Sequence, residues 1–230
     1  MGHGPTPVHP NVSEHNQAIQ WPLPQESQGS GKTCLRLGVL ASGSGSNFEA
    51  LAQACQSGQL AANVCQLVVN NPGCGARERA ERLGIPCTVH DHRGFSSREA
   101  LDQALIDSFR SAQVDLVVMA GWMRIVTQQL IDAFPERLVN IHPSLLPSFR
   151  GSRAIEQALS AGVKITGCTA HLVSLDVDTG PILVQAAVPV LDGDTPQTLA
   201  ARIHRQEHKI LPHAVQLAAH RLALLSPSGH

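Results

Sequence analysis

Tyrosine is absent from the 230 residues, and aromatic side chains of all kinds make up only 3% of them. A surface that stacks bases needs aromatic faces, so the chain is poorly equipped to hold single-stranded nucleic acid. Charge is scarce too. Asp, Glu, Lys and Arg together are 15% of the residues, and 17 basic side chains against 18 acidic ones leave a formal net charge of −1. That balance gives no electrostatic footprint for nucleic acid or an anionic membrane. No apolar run approaches the ~18 residues of a membrane span. The six cysteines (Cys34, Cys55, Cys65, Cys74, Cys87 and Cys168) contain no CxxC pair, and most sit inside apolar runs. They read as reduced core thiols of a cytoplasmic protein rather than a disulfide framework.

What is present is enough apolar material, 43% of the chain, for one domain with a real core. Residues 1–33 are rich in Pro, Gly, Gln, Ser, Asn and His and show no apolar period, so they read as a disordered N-terminal extension. They lack the charged start and apolar centre of a signal peptide, and a single Lys32 against Glu14 and Glu26 does not suit a transit peptide. Residues 34–225 are expected to form the one folded domain.

There the pattern is regular. "LRLGVLA" (35–41), "ANVCQLVVNN" (62–71), "IPCTVH" (85–90), "VDLVVMAG" (114–121) and a run near 137–141 read as strands. Helical spacing separates them at 48–58, 75–84 and 96–112, and again up to Phe134, with Ser96 or Ser97 as N-cap of the third. Strands alternating with helices predict an α/β fold, a doubly wound and mostly parallel sheet of Rossmann-like type. The C-terminal part differs. "KITGCTAHLVS" (164–174) and "PILVQAAVPV" (181–190) predict an antiparallel strand pair, followed by a helix over 195–224 that could bend at Pro212.

Two stretches carry chemistry. "GVLASGSGSNFEAL" (38–51) is strand, glycine turn and helix, and backbone N–H groups at such a helix start favour an anion. It fits neither the dinucleotide fingerprint, since Phe48 takes the third glycine place, nor a Walker loop, since no Gly-Lys-Ser/Thr follows. With no Arg or Lys close by in the sequence, a phosphate monoester suits it better than a triphosphate; a ligand-free turn is the alternative. In "LVNIHPSLLPSFRG" (138–151), alternation puts Asn140 and His142 on one face of a strand end and Ile141 on the other. An amide and an imidazole there could stabilise a developing oxyanion or move a proton. "SLDVDTGP" (174–181) offers Asp176 and Asp178 as carboxylate partners, although Asp-Thr-Gly also suits a plain turn. His142 and His171 lack a third ligand at a recognised spacing, so no metal is expected.

"NIHPSLLPSF" together with "HLVSLDVDTGPIL" resembles the formyltetrahydrofolate-dependent transferase family over residues 35–224, and "ASGSGSN" after the first strand is similar to the branch that formylates a ribonucleotide amine in purine synthesis. The resemblance implies 10-formyltetrahydrofolate as co-substrate, no metal, 5-phosphoribosylglycinamide as acceptor, and a monomer or homodimer. It implies that Asn140, His142 and Asp178 are catalytic, that Gly45, Ser46 and Asn47 hold the substrate phosphate, and that Glu207 lies near the same substrate. Arg98 and the segment Met123, Arg124, Ile125 and Val126 would contact the folate, although Arg98 and Glu207 could be solvated helix charges and Met123 and Ile125 plain core. The chain departs from the bacterial form at Ser148-Phe149-Arg150-Gly151, where Lys-Tyr/Phe-Pro-Gly is common, and at Arg153, where a histidine often sits. Three rivals follow from the same residues: a formyltetrahydrofolate deformylase, a methionyl-tRNA formyltransferase, and a non-catalytic folate or nucleotide binder. The first two carry an additional domain in their families, and a pure binder needs no such amide–imidazole–carboxylate set.

Overall fold

β2 (Leu35–Ala41) is apolar on both faces because it lies in the middle of an eight-stranded sheet with helices on either side. In this computed structural model, which describes residues 19–22 and 34–225, the strand order is β1 (Ile19–Trp21), β8 (Ile182–Pro189), β7 (Ile165–Leu172), β6 (Leu138–His142), β5 (Leu116–Met119), β2, β3 (Ala62–Val69) and β4 (Cys87–Val89). From β2 the chain winds one way, through α1 (Ser46–Gln56), β3 (Ala62–Val69), α2 (Gly75–Leu83) and β4 (Cys87–Val89). It then crosses back through α3 (Arg98–Ser111) to β5 (Leu116–Met119) on the other side of β2, and on through α4 (Gln128–Ala133) to β6 (Leu138–His142). All these strands are parallel. The reversal opens a crevice between the C-terminal ends of β2 and β5, where open α/β sheets bind ligands.

After α5 (Ala154–Ser160), β7 (Ile165–Leu172) returns antiparallel beside β6, and β8 (Ile182–Pro189) returns antiparallel beside β7. This is the expected strand pair. The closing helix α6 (Pro196–Leu225) runs on through Pro212, which removes the N–H that the carbonyl of His208 would otherwise meet. One stretch departs from expectation. Within the segment read as an extension, β1 (Ile19–Trp21) pairs antiparallel with β8, and Gln20 reaches His213 on α6 at 2.9 Å. The remainder of that segment, apart from Pro22, lies outside the described residues.

Alternation along the strands builds two cores. Leu37 and Val39 of β2, Leu116 and Val118 of β5, and Val139 and Ile141 of β6 pack with Phe48 and Leu51 of α1 and with Leu199, Ile203 and Ile210 of α6. On the other face Leu40, Val117, Met119 and Leu138 pack with Leu101, Leu105 and Phe109 of α3 and Leu130 of α4. Phe109 meets Phe134 edge-on, ring centroids 6.1 Å apart. Burying each such side chain stabilises the fold by roughly 1.5–3 kcal/mol. At the end of β6 the same alternation puts Ile141 in the α6-side core and turns Asn140 and His142 to the opposite face, toward the β7 residues His171 and Thr169 that pair with them.

Candidate active site

The glycine turn follows β2 directly. Gly45 holds a left-handed backbone (φ 79°), and a Cβ there would stand 2.6 Å from Cα of Ala76, so only glycine lets the turn lie against α2. Two of its carbonyls are turned toward α2: that of Gly43 accepts from Ala76 N–H at 3.1 Å, and that of Ser44 from Arg79 Nε at 2.8 Å. With these carbonyls tied back, the N–H groups at the start of α1 are left to face an anion. Arg79, itself paired with Glu49, is a cation that sequence reasoning missed. It lies on a neighbouring helix, and nothing local to the glycine turn points to it.

Asn47, the second residue of α1, donates Nδ2 to Oε2 of Glu207 at 2.8 Å, joining two residues assigned to the same substrate. Glu207 is only 3% exposed, so the reading as a solvated helix charge is set aside. Burial pushes its carboxyl above the usual range, against the Asn47 hydrogen bond and the nearby His204 and His142, which pull it down. The amide oxygen of Asn47 is buried without a partner among the described residues.

Across the crevice, the turn between β7 and β8 brings Asp178 to β6. Its Oδ2 lies 3.4 Å from Nδ1 of His142 and accepts from the Gly151 N–H at 2.8 Å, while Oδ1 lies 3.5 Å from Nδ2 of Asn140. Asp178 sits at φ 55°, and Gly180 just beyond it has no room for a side chain against the Leu172 carbonyl. Burial raises the Asp178 carboxyl, but hydrogen bonds from His171 and Gly151 and the two imidazoles together hold it below the usual range. Nε2 of His142 lies 2.8 Å from the Phe149 carbonyl. Both ring nitrogens therefore face oxygen acceptors, and the ring satisfies both only when each carries a proton.

His171 is the second residue missed. Its place opposite Asn140 in the β6–β7 register puts Nε2 3.2 Å from the Asn140 amide nitrogen and 3.6 Å from Asp178 Oδ1. Thr169 and His171 alternating with Cys168, Ala170 and Leu172 were the available signal.

The segment after β5 is tied at both ends. Met123 N–H donates to Ser42 Oγ at 2.9 Å, and Thr127 N–H donates to Asp102 Oδ2 at 2.6 Å. Met123 and Ile125 are 72% and 54% exposed, so they are not core; Arg124 is exposed too, whereas Val126 is packed beside Trp122 in the α3-side core. Arg98 is exposed at the start of α3, one turn from Asp102, and no described contact joins it to Asn140, His142 or Asp178. Arg150 and Arg153 are exposed as well. Cys168 is fully buried, and burial drives its thiol well up, as befits a core thiol; Cys74 is buried too, but Cys55 and Cys65 are half-buried and Cys34 and Cys87 exposed, so the reading of all six as core thiols does not hold. No group of three metal-ligating side chains occurs among the described residues.

The chain is thus a doubly wound α/β protein whose polar groups converge on the crevice where its sheet reverses order. It belongs to the formyl transferase family, whose sequence pattern matches residues 35–215. It is 39% identical to phosphoribosylglycinamide formyltransferase of Bacillus subtilis over 181 residues, which are 79% of this chain and 93% of that one. It is 42% identical to the trifunctional purine biosynthetic protein adenosine-3 of Bos taurus over 194 residues, 84% of this chain, but spans only 19% of that protein's length. Among solved structures, glycinamide ribonucleotide transformylase 1 from Symbiobacterium toebii superposes with a TM-score of 0.81 at 44% identity, covering 84% of this chain and 94% of that one.

Proposed function

We propose that the protein transfers the formyl group of 10-formyltetrahydrofolate to the amine of 5-phosphoribosylglycinamide, as the names of its relatives indicate for them. The observation that carries this reading is the Asp178 carboxylate, delivered by a distant turn to within 3.4 Å of His142 and beside Asn140, at the crevice that the glycine turn also lines. The substrate phosphate sits on Gly45, Ser46 and Asn47, and Glu207 faces the acceptor's amine end. The folate lies along Met123, Arg124 and Ile125, with Val126 supporting that wall from the core and Arg98 at its outer end.

The amine attacks the formyl carbon, and the carbonyl oxygen becomes an oxyanion. Asn140 and charged His142 stabilise it, which requires the Phe149 carbonyl to yield the His142 Nε2–H to the substrate. Asp178 keeps the ring charged and orients a water that carries the proton from the attacking nitrogen to the leaving folate nitrogen. The products are a formamide and tetrahydrofolate. The assay follows the absorbance of a formyl-folate analogue with and without the ribonucleotide. Turnover only when the ribonucleotide is present is expected. Equal turnover in water alone means a hydrolase, and no turnover means a binder; either result defeats the reading.

A further inference from the structure

His171 is buried, 2% exposed, and both of its ring nitrogens are engaged. Nδ1 lies 2.8 Å from the carbonyl of Leu172, which can only accept, so Nδ1 carries a proton whatever the charge of the ring. The state of the ring is therefore decided at Nε2, which faces the Asn140 amide at 3.2 Å and Asp178 Oδ1 at 3.6 Å.

The two states demand opposite things of Asn140. When His171 is neutral, Nε2 accepts an N–H from Asn140, and the amide's other N–H points to Asp178 Oδ1 at 3.5 Å. Both amide hydrogens are then spent within the protein, and Oδ1, which has no partner among the described residues, is the end left for a ligand. An oxygen lone pair repels an oxyanion. When His171 is charged, Nε2–H can share Asp178 Oδ1 at 3.6 Å, but it also faces the Asn140 NH₂ group at 3.2 Å, donor against donor. Turning the amide by half a rotation brings the Asn140 Oδ1 to that N–H and exposes the NH₂ group. The heavy-atom positions are nearly the same in both arrangements, so the switch needs no backbone movement.

We propose that His171 is a positioning residue, whose Nε2 proton sets which end of the Asn140 amide faces the crevice, so that formyl transfer runs in the form with His171 charged. This rests on the reading of Asn140 as an oxyanion donor given above. The titratable groups facing His171 are Asp178 from the β7–β8 turn and, on that carboxylate's other oxygen, His142 from β6. On its other side β8 presents Ile182, and α6 brings Glu207 toward His142. Two imidazolium rings around one carboxylate leave a single positive charge, which the developing oxyanion neutralises. The active form is thus matched to the transition state rather than to the empty site.

The experiment measures kcat and both KM values for the wild type, His171→Leu and His171→Gln. His171→Leu removes the donor and is expected to lower kcat by ~10²-fold, the cost of one misdirected oxyanion donor, with both KM values within about threefold of wild type. In His171→Gln the side-chain NH₂ can donate near the place of Nε2 without titrating. It is expected to restore kcat to within about tenfold of wild type, with both KM values again close to those of the wild type. Near-wild-type kcat in His171→Leu, or equal impairment in both variants, overturns the proposal. A ¹⁵N signal for His171 Nε2 in the wild type saturated with both substrate analogues gives an arm that needs no variant to fold: a protonated nitrogen supports the proposal and an unprotonated one overturns it. Wild-type protein that transfers no formyl group defeats the functional reading, whereas an active wild type with an unaltered His171→Leu defeats this inference alone.

Discussion

Glu207 keeps a carboxyl group where its charge is disfavoured, and that cost is visible in its raised pKa. Because the folded state holds this proton more tightly than the unfolded chain, folding stability declines as pH rises from the ordinary carboxylate range through the raised value. At neutral pH the group therefore works against the fold. Glutamine at this position can still accept from Asn47 Nδ2 but carries no charge to bury. Glu207→Gln should melt at a higher temperature than the wild type at pH 7, and should show a raised KM for the ribonucleotide with the folate KM unchanged. Thermal melts and steady-state kinetics check the two halves; a lower melting temperature contradicts the cost of burial, and an unchanged ribonucleotide KM contradicts the placement at the acceptor.

At the scale of elements, the β7–β8 turn does for Asp178 what the glycine turn does for the proposed phosphate site. Hydrogen bonds from Thr179 Oγ1 to the Asp176 carbonyl (2.9 Å) and between Ser174 and Thr179 (2.8 Å) stiffen it, and Gly180 lets it close onto the Leu172 carbonyl. Gly180→Ala forces the turn outward and moves Asp178 from His142. Its kcat should fall at least tenfold while far-ultraviolet circular dichroism stays that of the wild type; unchanged kcat would show that the turn does not set the geometry. The alternation of strands and helices was legible because each segment carries its own periodicity, and Asn140 and His142 were legible because alternation alone puts them on one face. Asp178 was not legible from local pattern, since its approach to His142 depends on β7 running antiparallel beside β6. Its assignment came from resemblance. Arg79 reaches the glycine turn from a neighbouring helix, so no local window contains its signal; the alternation along β7 marks His171, but what that side chain faces is decided by the β6–β7 register. β1 was missed because three residues in a polar segment carry too little pattern, although Ile19 and Trp21 alternate with Gln20 as a strand requires.

For the whole molecule, the reversal of strand order after β4 matters most, because it puts the glycine turn, the segment after β5 and the end of β6 around one crevice. The N-terminal approach to α6, which closes the other side, is held by an ion pair: Arg202 donates to Asp194 through both terminal nitrogens, at 2.7 and 3.0 Å, and to the Pro189 carbonyl. The Arg202 guanidinium, with Leu191 N–H and Thr198, lowers the Asp194 carboxyl to about 2 against the effect of burial. Its contribution to stability is complete above the unfolded carboxylate value near ~4 and is lost as pH falls through the folded one. Asp194→Asn should melt lower at pH 7 and lose less on acidification from about pH 4 to about pH 2; a parallel acid limb would contradict the pairing.

The most direct test of the central claim, that the Asp178 carboxylate works through His142 in formyl transfer, is the kcat of Asp178→Asn with both substrates saturating. The isostere preserves shape and an acceptor for Gly151 but removes the negative charge that lies 3.4 Å from His142 Nδ1. A fall in kcat of ~10²-fold or more, with both KM values and the melting curve close to wild type, is the expected result. A kcat within a few-fold of wild type would contradict it.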